Sequence, residues 1–139
     1  MFACSREFAA GIQKAIMGEA EAIIFYRQLL QMTREKQDRE IISQILRDEE
    51  EHYRNFSNLY QSITTGRQEL RPPKNEQLKN YEEGLFAGVI DETEDADFYS
   101  ELIVATTDQT IRDLLFGIVI DELRHASLLN LLFAKAHHR

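Results

Sequence analysis

Two copies of one five-residue pattern constrain this chain more than any other feature in it. Asp48-Glu49-Glu50-Glu51-His52 and Asp121-Glu122-Leu123-Arg124-His125 share Asp, Glu and His at matching positions, 73 residues apart. Each Glu-x-x-His puts a carboxylate and an imidazole one turn apart on the same helix face, where both can grip one inward-facing ion. The same offset relates Glu19 to Glu92 and Tyr26 to Tyr99, so Glu-x6-Tyr also occurs twice, each time upstream of its Glu-x-x-His. A single Glu-x-x-His says little, because helices carry many Glu and a few His. The ordered set says more: the chain is two similar halves, each supplying the same potential ligands.

Hydrophobic spacing divides the chain into four amphipathic helices. The first runs from near Ser5, a suitable N-cap, to about Met32, with Phe8, Ile12, Glu19, Ile23, Tyr26 and Leu30 on one stripe. The polar connector Thr33–Asp38 is short, so the second helix, about Asp38 to Ser62, returns antiparallel with Ile42, Ile45, Glu49, His52, Phe56 and Leu59 inward. Periodicity fails from Thr64 to Gln77, where Gly66 and Pro72-Pro73 cannot sit inside a continuing helix. A third helix, about Leu78 to Ala105, aligns Leu85, Val89, Glu92, Ala96, Tyr99 and Ile103. After a Thr106-Thr107-Asp108 turn, the fourth runs to about Ala136 with Ile111, Leu114, Ile118, Glu122, His125 and Leu129 inward. Each apolar stripe is thus interrupted at its middle by a charge or an imidazole. A buried carboxylate costs several kcal/mol unless it is protonated, paired or metal-bound, so four of them at one level demand protons or cations.

Glu19, Glu49, His52, Glu92, Glu122 and His125, in this order along the chain, resemble the ligand set of the ferritin-like superfamily. Within it the chain is similar to the rubrerythrin-type di-iron carboxylate domain, here without a rubredoxin domain. The resemblance covers nearly the whole chain and implies an all-α, ferritin-like antiparallel four-helix bundle with a long crossover between helices 2 and 3. It also implies that Glu49 and Glu122 bridge two ions, that Glu19 and His52 complete one ion's shell, and that Glu92 and His125 complete the other's. Asp48 and Asp121 resemble the family's aspartates that accept the free N–H of a ligand His. Tyr26 and Tyr99 resemble its tyrosines that hydrogen-bond ligand carboxylates, although core aromatics with a satisfied hydroxyl would look the same. Arg124 either balances the acidic cluster or lies at the surface. Mixed carboxylate and imidazole ligands without thiolate suit iron or manganese, and zinc can occupy the same groups.

With 139 residues, 43% of them apolar, one domain spanning 1–139 is the economical expectation: hairpin repeats at about 5–62 and 78–136, joined by a crossover at about 64–77. A net charge of −8 argues against a nucleic-acid partner, since phosphate binding needs clustered Lys and Arg. Glu94, Asp95 and Asp97 read as a solvated acidic flank of helix 3. One cysteine, Cys4, excludes an intramolecular disulfide, and no segment approaches the ~18 uninterrupted apolar residues of a membrane span. With no signal-peptide pattern at Met1-Phe2-Ala3-Cys4-Ser5, a cytoplasmic location is expected. The terminal pair His137-His138 says little about function.

The resemblance implies an oxidoreductase that removes peroxide or dioxygen, most readily as a homodimer. Family members often carry a four-Cys rubredoxin domain. With Cys4 alone, this chain is expected to depend on an external electron donor protein. Peroxide-reducing members have a further Glu one turn before the third-helix ligand, where this chain has Val89. Two other functions use the same ligands: a ferroxidase or iron-binding protein within a larger assembly, and a di-metal oxygenase, for which the bulky Phe and Leu of the inward stripes leave little room.

Overall fold

Three of the four helices begin where a side chain can accept a free backbone N–H, the usual local signal for a helix start. Ser5 Oγ accepts from the Phe8 amide at 3.0 Å and opens α1 (Arg6–Gln31). Asn80 Oδ1 accepts from Glu83 at 2.8 Å and opens α3 (Tyr81–Val104), while Asp108 Oδ1 accepts from Ile111 at 3.1 Å and opens α4 (Gln109–His137). Helix α2 (Lys36–Ile63) follows Glu35 with no side-chain cap. Arg39 instead caps the preceding end, donating from Nη1 to the carbonyls of Leu30 and Thr33 at 2.6 and 3.0 Å. The computed structural model describes residues 5–66 and 70–138; Cys4 and positions 67–69 of the crossover lie outside them.

The architecture is an all-α antiparallel four-helix bundle, with no strand among the described residues. Helices α1 and α2 form one hairpin and α3 and α4 the other, and the hairpins meet along α1 against α3 and α2 against α4. Glycines fix the close approach of α1 to α3. A Cβ at Gly11 would lie 2.7 Å from Leu102 Cδ2, and one at Gly84 would lie 2.8 Å from Leu29 Cδ1. The start of α1 therefore faces the end of α3 and the reverse, which makes the two helices antiparallel. The crossover runs back along α1: Arg71 Nη2 lies 2.8 Å from Glu21 Oε1, and Gln28 holds Asn75, Glu76 and the Leu78 amide.

Helix α3 begins three residues later than the spacing predicts. Leu78 is still in the crossover, because its amide donates to Gln28 Oε1 and the capping side chain is Asn80. Helix α2 begins two residues earlier than predicted, at Lys36. The inward stripes also drift at their ends. Leu29, Leu102 and Leu115 are buried, whereas Leu30, Ile103 and Leu114 are only partly covered. Projecting the stripe by fours overshoots a 3.6-residue turn, so one step of three is needed to stay on the inner face.

Two apolar clusters cap the polar layer from opposite ends. Phe8, Ile12, Ile16, Phe56, Leu59, Leu115 and Ile118 belong to one, and Tyr26, Leu29, Ile42, Ile45, Leu85, Leu129 and Leu132 to the other. Below the second cluster, buried Asp38 accepts from the Tyr81 hydroxyl at 2.8 Å and from Lys135 Nζ at 2.7 Å, tying α2 to both helices of the other hairpin. Helices α3 and α4 also carry large apolar side chains outward, among them Phe86, Ile90, Phe116, Ile120, Leu123 and Leu131. No helix among the described residues is long and apolar enough to cross a membrane.

Candidate metal centre

Midway along the bundle the apolar core gives way to six ionisable side chains. Glu19 comes from α1, Glu49 and His52 from α2, Glu92 from α3, and Glu122 and His125 from α4, all at most 2% exposed. Donor atoms of Glu19, Glu49, His52 and Glu122 lie within 4.8 Å of one another, and so do those of Glu49, Glu92, Glu122 and His125. The two sets share Glu49 and Glu122. The two imidazoles are neighbours, ring centroids 6.1 Å apart.

The shortest contacts that orient these groups cross from one hairpin to the other, and each of these occurs twice. His52 Nδ1 lies 3.0 Å from Glu122 Oε1, and His125 Nδ1 lies 3.0 Å from Glu49 Oε1. On the outer side of the rings, His52 Nε2 is 2.8 Å from Asp121 and His125 Nε2 is 2.8 Å from Asp48. Each Asp therefore serves the imidazole of the opposite motif rather than its own. An aspartate beside Nε2 fixes the tautomer that carries its proton there, which leaves the Nδ1 lone pair facing inward. The tyrosines repeat the exchange: the Tyr26 hydroxyl donates to Glu92 Oε1 at 2.5 Å and the Tyr99 hydroxyl to Glu19 Oε1 at 2.7 Å. Arg124 joins the outer pair, with Nη2 2.6 Å from Asp48 and 3.8 Å from Asp121, so it balances both orienting carboxylates at the rim. The sequence left that role open because Asp48 and Arg124 are 76 positions apart.

Eight buried atoms of the six residues still have no hydrogen-bond partner: both oxygens of Glu49 and Glu122, Oε2 of Glu19 and Glu92, and Nδ1 of both histidines. Buried polar atoms are rarely left unpaired, and so many aimed at one volume fit a pair of cations. Carboxylate and imidazole without thiolate, with two donors common to both sets, make up the donor inventory of a di-metal site.

Without cations, protons must take their place. Burial pushes the Glu19 and Glu122 carboxyls well above their ordinary range and raises Glu92, each reinforced by the charge of Glu49. Burial alone would lower the His52 pKa, but the facing Glu19 and Glu49 carboxylates outweigh it and hold the ring up to about 11. His125 is raised in the same way by Glu122, Glu49 and Glu92. For Glu49 burial acts upward, yet the two imidazoles prevail and hold it below the carboxylate range.

Five of the six groups thus favour the protonated form in the fold, and their contribution is complete at acid pH and lost as pH rises through the folded values. Glu49 alone runs the other way. The metal-free protein is expected to lose stability above pH 4.5, the ordinary carboxyl value, and further above 6.5, where the imidazoles join, toward about 11. Divalent cation should reverse the trend, because ligands that give up protons bind metal more tightly as pH rises. Thermal melts from about pH 7 to 9, with and without metal, test this; a metal-free Tm that climbs over that range would refute it.

On the outer flank of α3 the structure departs from expectation at one position. Glu94 and Asp97 are exposed, but Asp95 is half-buried. Burial, together with the charges of Glu92 and Glu49, pushes its carboxyl up to about 8. His137 lies 2.6 Å from Glu82 and stacks on Phe133, away from the centre.

With this geometry in view, comparison with known proteins is direct. The sequence matches the rubrerythrin family over residues 11–133. The chain belongs to the rubrerythrin family. A protein of Bacillus subtilis (strain 168) named uncharacterized protein YhjR is 37% identical over 116 residues, which is 83% of this chain and 79% of that one. No solved structure matches. Membership in the rubrerythrin family accounts for the four helices, the repeated hairpin and the buried cluster together.

Proposed function

We propose that this protein holds two iron ions and reduces peroxide or dioxygen with electrons delivered by a separate donor protein. The reading rests above all on the two overlapping four-donor sets, which would let Glu49 and Glu122 serve both ions while Glu19 with His52 and Glu92 with His125 serve one each. Held there in reduced form, two iron ions would supply the two electrons with which hydrogen peroxide and two protons become two waters. Manganese suits the same donors, and zinc can replace either in a preparation.

The chain's own residues would orient and insulate this chemistry. Asp121 and Asp48 hold the imidazoles with Nδ1 inward. The two apolar clusters exclude water above and below, which strengthens every charge interaction in the layer. Tyr26 and Tyr99 donate their hydroxyl protons to Glu92 and Glu19, the carboxylates that would serve one ion each. These hydroxyls touch carboxylates of the cluster directly, and we assign them the role of passing on a proton.

A second reading, oxidation and binding of Fe(II) as part of an iron-handling assembly, is favoured by one observation. Val89 packs half-buried against the lower apolar cluster at the position where a seventh carboxylate would sit. That leaves the plainer six-ligand centre. Stopped-flow oxidation of the di-ferrous protein separates the two: peroxide is expected to react faster than dioxygen, and equal or slower reaction would end the peroxidase assignment. Size-exclusion chromatography then decides about storage, since the homodimer we propose cannot enclose a mineral core.

A further inference from the structure

A cavity of about 390 Å³ opens beside the centre, between α1, α3 and the crossover, and Glu92 and Tyr26 form part of its wall. Its lining is strongly one-sided in charge. Glu21, Glu76, Asp91, Glu94 and Asp95 join Glu92 there, against Lys74 as the one lining cation among the described residues. Arg71 lies beside Glu21, but among the described residues Asp91, Glu94 and Asp95 make no ion pair with Lys or Arg. Asp95 sits half-buried one turn beyond Glu92, where the charges that act on it most strongly are those of Glu92, Glu49, Asp91 and Glu94, while Lys14 and Arg71 line the neighbouring cavity with it.

An acidic surface alone would mean little, since most such flanks are simply solvated. Two further observations separate this one. Glu92 is 2% exposed and keeps Oε2 without a hydrogen-bond partner, so the acidic wall runs onto a buried, unpartnered carboxylate. The cavity also exists because its α1 wall is thin. Gly18 and Ala22 face Ala87, and a Cβ added at Gly18 would meet nothing within 4 Å.

We infer that this cavity is the route by which divalent first-row cations reach the buried centre, with Asp91, Glu94 and Asp95 drawing them in and Glu92 receiving them. A cleft of one charge sign between low-dielectric walls concentrates counter-ions and speeds their association. Asp95 is the intermediate holding point. It is half-buried and lines both this cavity and the neighbouring one, which leads along α1 to Tyr99. The inference rests on the di-metal reading above and adds a direction to it: the Glu92 and His125 side fills first.

The test is anaerobic stopped-flow loading of metal-free protein with Co(II), read by its visible absorbance and by ions bound at equilibrium. Asp91→Asn/Asp95→Asn is expected to slow loading about ten-fold at low salt and flatten its salt dependence, with two ions still bound at the end. Gly18→Leu fills the passage without touching a charge and should slow loading at every ionic strength. Glu51→Gln/Glu101→Gln removes the same net charge from exposed positions outside the cavity and should load at the wild-type rate. Wild-type rates in both cavity variants overturn the route, as does equal slowing by the Glu51/Glu101 control. Loss of an ion at equilibrium in Asp91→Asn/Asp95→Asn also overturns it, because those residues would then be ligands. If wild type itself takes up no Co(II), the di-metal reading fails and the route with it.

Discussion

Loading two divalent cations into the metal-free protein is expected to raise its Tm by more than about 15 °C, and Glu122→Ala should abolish most of that rise. Ligand present at a thousand times its Kd stabilises by about 4 kcal/mol per site, and a chain of this size gains roughly 2–5 °C per kcal/mol. Two sites therefore move the transition far outside experimental scatter. Glu122 lies in both donor sets, so truncating it weakens both ions at once. The metal-free baseline should move little or even upward in that variant. Burial and the charges of Glu49 and Glu19 push the Glu122 carboxyl well above its ordinary range, so the fold holds it at a cost. A scaffold role would give the opposite pattern, a lower baseline with an intact metal increment. Calorimetry on both forms distinguishes the two.

Removing Glu49 should reduce metal stoichiometry from two to near zero, whereas removing Glu19 should leave about one tightly held ion. The reason is geometric. Glu49 Oε1 lies 3.0 Å from His125 Nδ1 and 3.5 Å from His52 Nδ1, so it belongs to both halves of the cluster. Glu19 lies 3.7 Å from His52 and is absent from the set around His125. Metal analysis after gel filtration reads the result directly. Equal stoichiometry in Glu49→Ala and Glu19→Ala would show that the two carboxylates do not differ as shared and unshared ligands, and the two-ion arrangement would have to be redrawn.

The parts of the site that lay open in the sequence were those carried by local spacing. Glu49 with His52, and Glu122 with His125, share a helix face whatever the helix packs against, because 3.6 residues per turn fixes their relation. The interrupted apolar stripes likewise place Glu19 and Glu92 at core level without reference to any partner. Features near helix ends were less legible. The start of α3 depends on Gln28 of α1 capturing the Leu78 amide, a contact between residues 50 positions apart. The choice of Leu102 over Ile103 at the other end depends on how closely Gly11 lets α1 approach.

Asp95 shows the same boundary from the functional side. Its neighbours Glu94 and Asp97 mark it as part of a water-facing flank, and for those two the structure agrees. What turns Asp95 into a cavity wall is the crossover laid over the groove beside α1, together with the absence of a side chain at Gly18. Neither follows from the spacing of residues on α3.

By itself, then, the order of residues determined that two like hairpins exist and which ten side chains they bring: two sets each of Glu, Tyr, Asp, Glu and His. Only the tertiary structure decided that the sets are exchanged. Asp48 serves His125, Asp121 serves His52, Tyr26 serves Glu92 and Tyr99 serves Glu19. Periodicity fixes what shares a helix face, but partners across a helix interface are set by how antiparallel hairpins dock, and docking here leaves neither repeat able to finish a site alone.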